Sequence, residues 1–297
     1  MSITEKIASK HLGKKSTEIL EYIPDLLVAI PRDDNRQQYN IISDNLEFVG
    51  WDIWHAYEFS VMTENGLPVT KLIKIKYSCE SEFLVESKSL KLYFNSFNLT
   101  KIGKDIKDCL SQCKVIIEKD LSTVLKTQVE INYIEQDNRT NIFENFNNII
   151  DFIDESNIKI DCYKENPSVL KVEENNDIKE YYLRFDSLRS NCRVTHQPDF
   201  GDLFLYYKSK KHLVEENLVK YLCSFRSEYH FHEECCEMIF KRLRDLLDVD
   251  DELFVCALYT RRGGIDICPA RWTNNCSFKG YEPLIETRIF ARNGVKQ

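Results

Sequence analysis

The chain has 297 residues, 43% of them hydrophobic and 30% charged, with only 9 glycines and 7 prolines. At roughly 100–200 residues per domain, this allows one large domain or two modest ones with a sizeable core, and it excludes collagen-like or long flexible chains. A net charge of −8 and a pI of about 5.4 speak against a direct nucleic-acid partner, which wants a basic face.

Met1–Lys15 alternates Lys and Glu with apolar residues and lacks the apolar stretch of a secretion signal. The longest early apolar run, Leu26–Ile30, is far short of a membrane span, so no membrane association is expected and the location reads as cytoplasmic. Asp52–Thr63 is rich in aromatic and β-forming residues. Val69–Tyr77 alternates β-branched residues with lysine. The turn residues Glu64-Asn65-Gly66-Leu67-Pro68 between them complete a hairpin pattern. Two helices are predicted next, over Lys88–Asn98 and Gly103–Lys126. In the second, Ile106, Leu110, Cys113, Ile117, Leu121 and Leu125 recur along one face. Gln128–Ile134 alternates again and reads as a strand.

The second half repeats this order. Strands are predicted over Lys179–Cys192 and Asp202–Tyr207, with Pro198-Asp199-Phe200-Gly201 as the turn between them. Helices follow over Val214–Arg226 and His230–Leu247, then strands over Leu253–Tyr259 and Ile265–Ile267 flanking Arg261-Arg262-Gly263-Gly264. Tyr93-Phe94-Asn95-Ser96-Phe97 aligns with Tyr221-Leu222-Cys223-Ser224-Phe225, each on the first helix of its half. The expectation is an α+β protein of two tandem ββααββ modules, residues 1–150 and 151–297, joined in the polar stretch Gln136–Ser156. Lys164–Asp177 reads as a second polar, exposed segment.

Eleven cysteines are scattered without a CxxC pair, so most read as small buried hydrophobes in a reducing compartment. Cys192 is the exception by context. It ends a strand and is followed by Thr195-His196-Gln197-Pro198-Asp199. A thiolate becomes a strong nucleophile when a neighbour takes its proton. Asp199 either takes that proton and returns it as a general acid, or caps backbone N–H groups in a turn. His232 and Glu233 stand at the start of a helix with Cys235 and Cys236 one turn on. Glu233 there suits the helix dipole, and the His/Cys spacing offers two metal ligands but no third. Glu86-Ser87-Lys88 opens another helix. Ser87 reads as its cap with Lys91 toward solvent, or Glu and Lys there meet a polar ligand. Arg261-Arg262-Gly263-Gly264 pairs forked cationic donors with close backbone approach, suited to phosphate or to a plain hairpin turn. Neither a GxGxxG nor a P-loop pattern occurs.

Taken in order, these segments resemble the queuosine-pathway nitrile reductases, the 7-cyano-7-deazaguanine reductases, in their long two-module form. The resemblance starts at Ile30-Pro31-Arg32 and Asn35-Arg36. It continues through Asp52-Ile53-Trp54 with Tyr57-Glu58, Glu86-Ser87-Lys88-Ser89, Ser190-Asn191-Cys192 with Thr195–Asp199, Ser224-Phe225-Arg226 and Phe231-His232-Glu233. It ends at Tyr259–Gly264 with Asp266-Ile267. It implies a tunnelling fold, antiparallel sheets with helices outside, in a homodimer. It implies reduction of 7-cyano-7-deazaguanine to the aminomethyl base with two NADPH, through a thioimide on Cys192. Asp199 is then the proton donor and His232 a helper at the side-chain nitrogen. Val85, Glu86, Ser87, His232 and Glu233 correspond to base-binding positions, and Ser87, Lys88, Arg262 and Gly263 to NADPH-binding positions, with no metal. The rival expectations are a zinc-dependent cyclohydrolase of the same fold and a non-catalytic pterin- or purine-binding scaffold.

Overall fold

The computed structural model describes residues 6–7, 21–135 and 142–291. Most of the Met1–Lys15 reading, and residues 136–141 of the proposed joining stretch, lie outside the described residues. No helix among the described residues is long and apolar enough to cross a membrane.

The first half runs β1 (Ala29–Pro31), β2 (Val49–Met62), β3 (Pro68–Ser78), β4 (Phe83–Val85), α1 (Ser87–Asn95), α2 (Ile106–Leu125) and β5 (Val129–Ile134). After the two-residue β6 (Asn147–Asn148), the second runs β7 (Val172–Asn191), β8 (Pro198–Leu213), α3 (Glu215–Cys223), α4 (His232–Arg244), β9 (Glu252–Tyr259) and β10 (Ile265–Trp272). The β2–β3 hairpin forms where the alternation predicts it, and Gly66 supplies the left-handed corner at φ 82°. α2 buries Cys109, Cys113, Ile117, Leu121 and Leu125, so the expected stripe holds from Cys113 onward, whereas Ile106 is exposed and Cys109 rather than Leu110 is the buried residue of the first turns.

Eight strands make one sheet in the order β5-β3-β2-β10-β9-β8-β7-β6. The seam between halves is the antiparallel pair β2–β10, in register from Ile265 opposite Ala56 to Trp272 opposite Val49. The second half carries ββααββ in full. Among the described residues the first carries ββ, two helices and β5 in the main sheet, while β4 pairs with β1. The helices cover one face of the sheet, over separate apolar clusters for the two halves. The other face is packed by Phe143, Phe146, Phe204, Phe254, Trp272 and Tyr281.

The two halves share a hydrogen-bond pattern. Ser96 Oγ donates to the Tyr93 carbonyl at 2.6 Å and accepts the Ile23 N–H at 3.2 Å. Ser224 Oγ donates to the Tyr221 carbonyl at 2.6 Å and accepts the Asn166 N–H at 3.3 Å. Both incoming segments then make a short 3₁₀ turn beginning at proline, Pro24–Leu26 and Pro167–Val169.

One local expectation is corrected. Pro198–Gly201 is not a turn but the start of β8, with Asp199 opposite Ser190 and Gly201 opposite Leu188. Proline is tolerated as the first residue of a strand. A Cβ at Gly201 would lie 3.1 Å from the Tyr259 ring. The turn is Cys192–Gln197, closed by Cys192 N–H to Gln197 O at 2.8 Å with His196 left-handed at φ 57°. Lys164–Asp177 is largely exposed, as expected, and its last residues belong to β7, which begins at Val172, where it pairs with Leu213 of β8.

Three arginines and two carboxylates are buried where the halves meet. Arg32 and Arg271 both bind Asp52, the latter at 2.8 Å, and Arg271 reaches Glu237 at 2.9 Å. Arg36 holds Glu237 through Nε and Nη2, both at 2.8 Å. Burial opposes charge on Glu237, but Arg36 and Arg271 outweigh it and hold the carboxyl down to about 2. Glu237 stands one turn beyond Glu233 on α4, so this network fixes that helix against the first half.

Candidate active site

A cavity of about 620 Å³ opens between the start of α1, the Cys192–Gln197 turn, the start of α4 and the loop joining β9 to β10. Its wall includes every expected site residue: Val85, Glu86, Ser87, Lys88, Cys192, Asp199, His232, Glu233, Arg262 and Gly263. β10 meets β9 only at Ala270–Trp272. The two strands diverge beyond it, leaving room for Ile265 and Ile267 to floor the cavity.

Cys192 is half-buried and held from both sides. Asn191 N–H donates to Glu228 O at 2.8 Å. Arg193 ties the next residue to Glu234 at 3.2 Å and to Asn35 of the first half at 3.4 Å. All eleven cysteines are free thiols, and of the residues lining the cavity only Cys192 is a cysteine. Burial pushes the Cys235 thiol up to about 12 and that of Cys79 to about 11, which suits packing rather than reaction.

Asp199 is 5% exposed and faces two partners. Arg262 Nη1 pairs with its Oδ1, while His232 Nε2 lies 3.5 Å from its Oδ2 without hydrogen-bond geometry. Arg262 Nη2 also donates to Gln197 Oε1 at 2.8 Å. His232 stacks on Tyr259 with ring centroids 3.9 Å apart. Burial pushes its imidazole down to about 3, so it is neutral at physiological pH.

Glu233 is 1% exposed, and neither carboxylate oxygen has a hydrogen-bond partner among the described residues. Burial, then the charge of Asp52, pushes it up to about 8. A buried carboxyl with both oxygens unsatisfied is costly unless something donates to them. The Trp54 indole N–H, on another lining residue, is also buried and unpartnered.

Glu86 differs. It is the N-cap of α1, accepting the Lys88 N–H at 2.9 Å and the Ser89 N–H at 2.6 Å. This corrects the expectation that Ser87 caps the helix. Lys91, expected toward solvent, lines the cavity instead, and a Cβ at Gly263 would lie 3.0 Å from its Nζ. Gly263 and Gly264 take φ 58° and 81°, a corner that side chains resist. Arg261 leaves the cavity to stack on Tyr57 at 4.5 Å, so the two adjacent arginines have separate tasks.

The metal alternative gains nothing from this geometry. Cys236 Sγ lies 3.6 Å from the Pro269 carbonyl, inside the core. Among the described residues the set of three side chains with clustered ligand atoms is His55, Asp266 and Cys268. Asp266 and Cys268 alternate along β10 with Ile265 and Ile267, placing that set on the face away from the cavity. Lys91 and Thr260 lay within segments singled out by the sequence but were given no role at the site, and Ile265 was read only as part of a strand; all three line the cavity.

One antiparallel sheet with helices on one face, and a ligand-sized cavity where its first and second halves meet, is the class of architecture that takes up a small molecule. The comparisons with known proteins make this particular. The family described as "Nitrile reductase, 7-cyano-7-deazaguanine-reductase N-term" matches residues 19–133, and that described as "QueF-like protein" matches residues 198–276. A protein of Colwellia psychrerythraea named NADPH-dependent 7-cyano-7-deazaguanine reductase is 38% identical over 265 residues, covering 88% of this chain and 90% of its own. Proteins of the same name from Legionella pneumophila and Rickettsia bellii are 37% identical over 94% of this chain and 95% of theirs, and 38% identical over 91% and 94%. The chain belongs to the 7-cyano-7-deazaguanine reductase family, whose tunnelling fold accords with the antiparallel sheet and one-sided helices.

Proposed function

We propose that this protein reduces 7-cyano-7-deazaguanine to 7-aminomethyl-7-deazaguanine with two NADPH, in tRNA queuosine biosynthesis, and that Cys192 forms a covalent thioimide with the nitrile carbon. The observation that carries this reading is that one cavity is lined by a half-buried Cys192, a buried Asp199 and a buried Glu233 with no hydrogen-bond partner among the described residues. A deazaguanine base presents a ring N–H and an exocyclic amine side by side, and the two Glu233 oxygens accept both. The Trp54 N–H is then left for the carbonyl oxygen of the base.

Cys192 adds to the nitrile carbon as Asp199 handles the proton that reaches nitrogen. Neutral His232, stacked on Tyr259, orients the side-chain nitrogen. When bound, NADPH supplies the two hydrides. Arg262, Lys88 and Lys91 are cations suited to its phosphates, Ser87 adds a hydroxyl, and the side-chain-free Gly263 allows close approach. Glu86, through its cap, fixes the start of α1 that carries Ser87 and Lys88.

We further take residues 1–150 and 151–297 as the two modules, and the working state as a cytoplasmic homodimer without direct nucleic-acid contact. The test is incubation with 7-cyano-7-deazaguanine in the absence of NADPH, followed by intact-protein mass. The protein is expected to gain the mass of the base, and Cys192→Ala to gain nothing. An adduct that persists in Cys192→Ala removes that residue from the mechanism.

A further inference from the structure

Arg262 occupies an unexpected place for a residue assigned to a cofactor. Its Nη1 pairs with Asp199 and its Nη2 donates to Gln197, so the cation lies against the acid–base residue. The backbone beneath it is fixed. Arg262 N–H donates to Ile265 O at 2.8 Å, Ile265 N–H returns to Arg262 O at 3.2 Å, and Gly263-Gly264 form the corner. The Arg262 side chain is 38% exposed whereas Asp199 is 5% exposed. The guanidinium can therefore leave by side-chain rotation alone, while the carboxylate stays.

We propose that Arg262 switches partner: without a cofactor phosphate it holds Asp199 as a carboxylate, and with one it leaves Asp199 to carry a proton. This rests on the reading of Asp199 as the acid–base residue given above. The proton inventory requires both states. In adduct formation the Asp199 carboxylate takes the Cys192 thiol proton as the S–C bond forms and one π bond of the nitrile breaks. That proton passes to nitrogen, and the carboxylate is restored. Reducing the carbon twice, with hydrides from two NADPH, breaks the S–C bond between the two transfers and consumes two further protons, drawn from water by way of Asp199: one ends on nitrogen and the other restores the Cys192 thiol. A base is wanted before the cofactor acts and an acid while it acts.

The other groups around Asp199 do not provide this change. His232, on α4, is kept neutral by burial. Gln197, in the turn, carries no charge, and Ser190 across the β7–β8 ladder is neutral. Cys192 is the proton's source. Glu233 and the α1 cations Lys88 and Lys91 share the cavity wall, but the ion pair with Asp199 is made by Arg262.

The test follows the rate of the adduct by intact-protein mass, without NADPH, across pH. An adjacent guanidinium favours the charged carboxylate by about 1–3 pH units. The rising limb for Arg262→Gln should therefore move to higher pH by about one unit, the low end because the pair is partly exposed. Arg262→Lys should move it less. Oxidised NADP⁺, which gives no hydride, should move the wild-type limb upward and leave that of Arg262→Gln in place. In an Asp199→Asn background, Arg262→Gln should cause no shift. An unmoved limb in Arg262→Gln, or an equal response of both proteins to NADP⁺, overturns the switch. If Asp199→Asn instead keeps the wild-type profile, the acid–base assignment itself is wrong, a separate outcome.

Discussion

Glu233 gives a quantitative expectation for how the base is bound. Burial and the charge of Asp52 push its carboxyl up to about 8 in the ligand-free cavity. At neutral pH the protonated form therefore predominates, and a ligand that needs both oxygens as acceptors must first remove the proton. Each pH unit below the titration point costs about 1.4 kcal/mol, a factor of about ten in affinity. Base affinity should rise about tenfold per pH unit below about 8 and level off above it, with close to one proton released at neutral pH. Calorimetric titration of the Cys192→Ala protein, in two buffers of different ionisation enthalpy, reads both quantities without an adduct. Glu233→Gln should lose roughly 1.5–3 kcal/mol of binding, since one acceptor becomes a donor facing a donor, and should lose the pH slope. The raised value also sets a sign for stability. Between 4.5 and about 8 the folded protein holds a proton the unfolded chain has released, so the Glu233 contribution to the ligand-free protein falls as pH rises through that window. Equal affinity in Glu233→Gln, or a slope that survives the substitution, would refute the assignment of Glu233 to the base.

Three further outcomes are expected. Asp199→Asn should cut turnover by about 10²–10⁴-fold, the usual worth of positioned proton transfer, as read in steady-state rates. Glu86→Gln loses one of two acceptors at the α1 cap, so it should lower stability by about 0.5–2 kcal/mol in denaturant melts. If a Glu86 oxygen also reaches the base, calorimetry will show weaker binding as well. Activity should survive a strong chelator, and loss of turnover that zinc restores would favour the cyclohydrolase alternative.

Much of this was legible in the chain. The β2–β3 hairpin was, because alternation and a Gly-Leu-Pro corner agree, and α2 was, because its apolar period is clean from Cys113 onward. The start of β8 was not. Proline and glycine normally punctuate, and only the pairing of Gly201 with Leu188 and Tyr259 shows that they begin a strand. The early part of β7 was hidden by its Glu, Asn and Lys content, since it pairs with the end of β8 as a largely exposed ribbon. At the site the candidate residues came from motif order, but their electrostatic roles did not. Nothing in Glu86-Ser87-Lys88 shows that the glutamate rather than the serine caps α1. The Arg262–Asp199 pair is likewise created by the loop between β9 and β10.

The seam between β2 and β10 bears on how the protein is made. Asp52 and Arg271 meet across 219 residues of chain, and Arg32 and Glu237 across 205. During synthesis β2 and the mutually paired Arg32 and Asp52 emerge early with Arg36, while Glu237 and Arg271 appear only when most of the remainder has been translated. Until then β2 has an open edge, and Arg36 has no carboxylate of this network to pair with, so it must stay hydrated rather than buried alone. The first half is thus restrained from closing prematurely, and the binding cavity comes into being late, in one cooperative step. Such long-range closure slows folding and prolongs exposure to wrong partners. Ribosome-associated chaperones and translation rate should therefore affect the yield of active enzyme more than substitutions on its surface do.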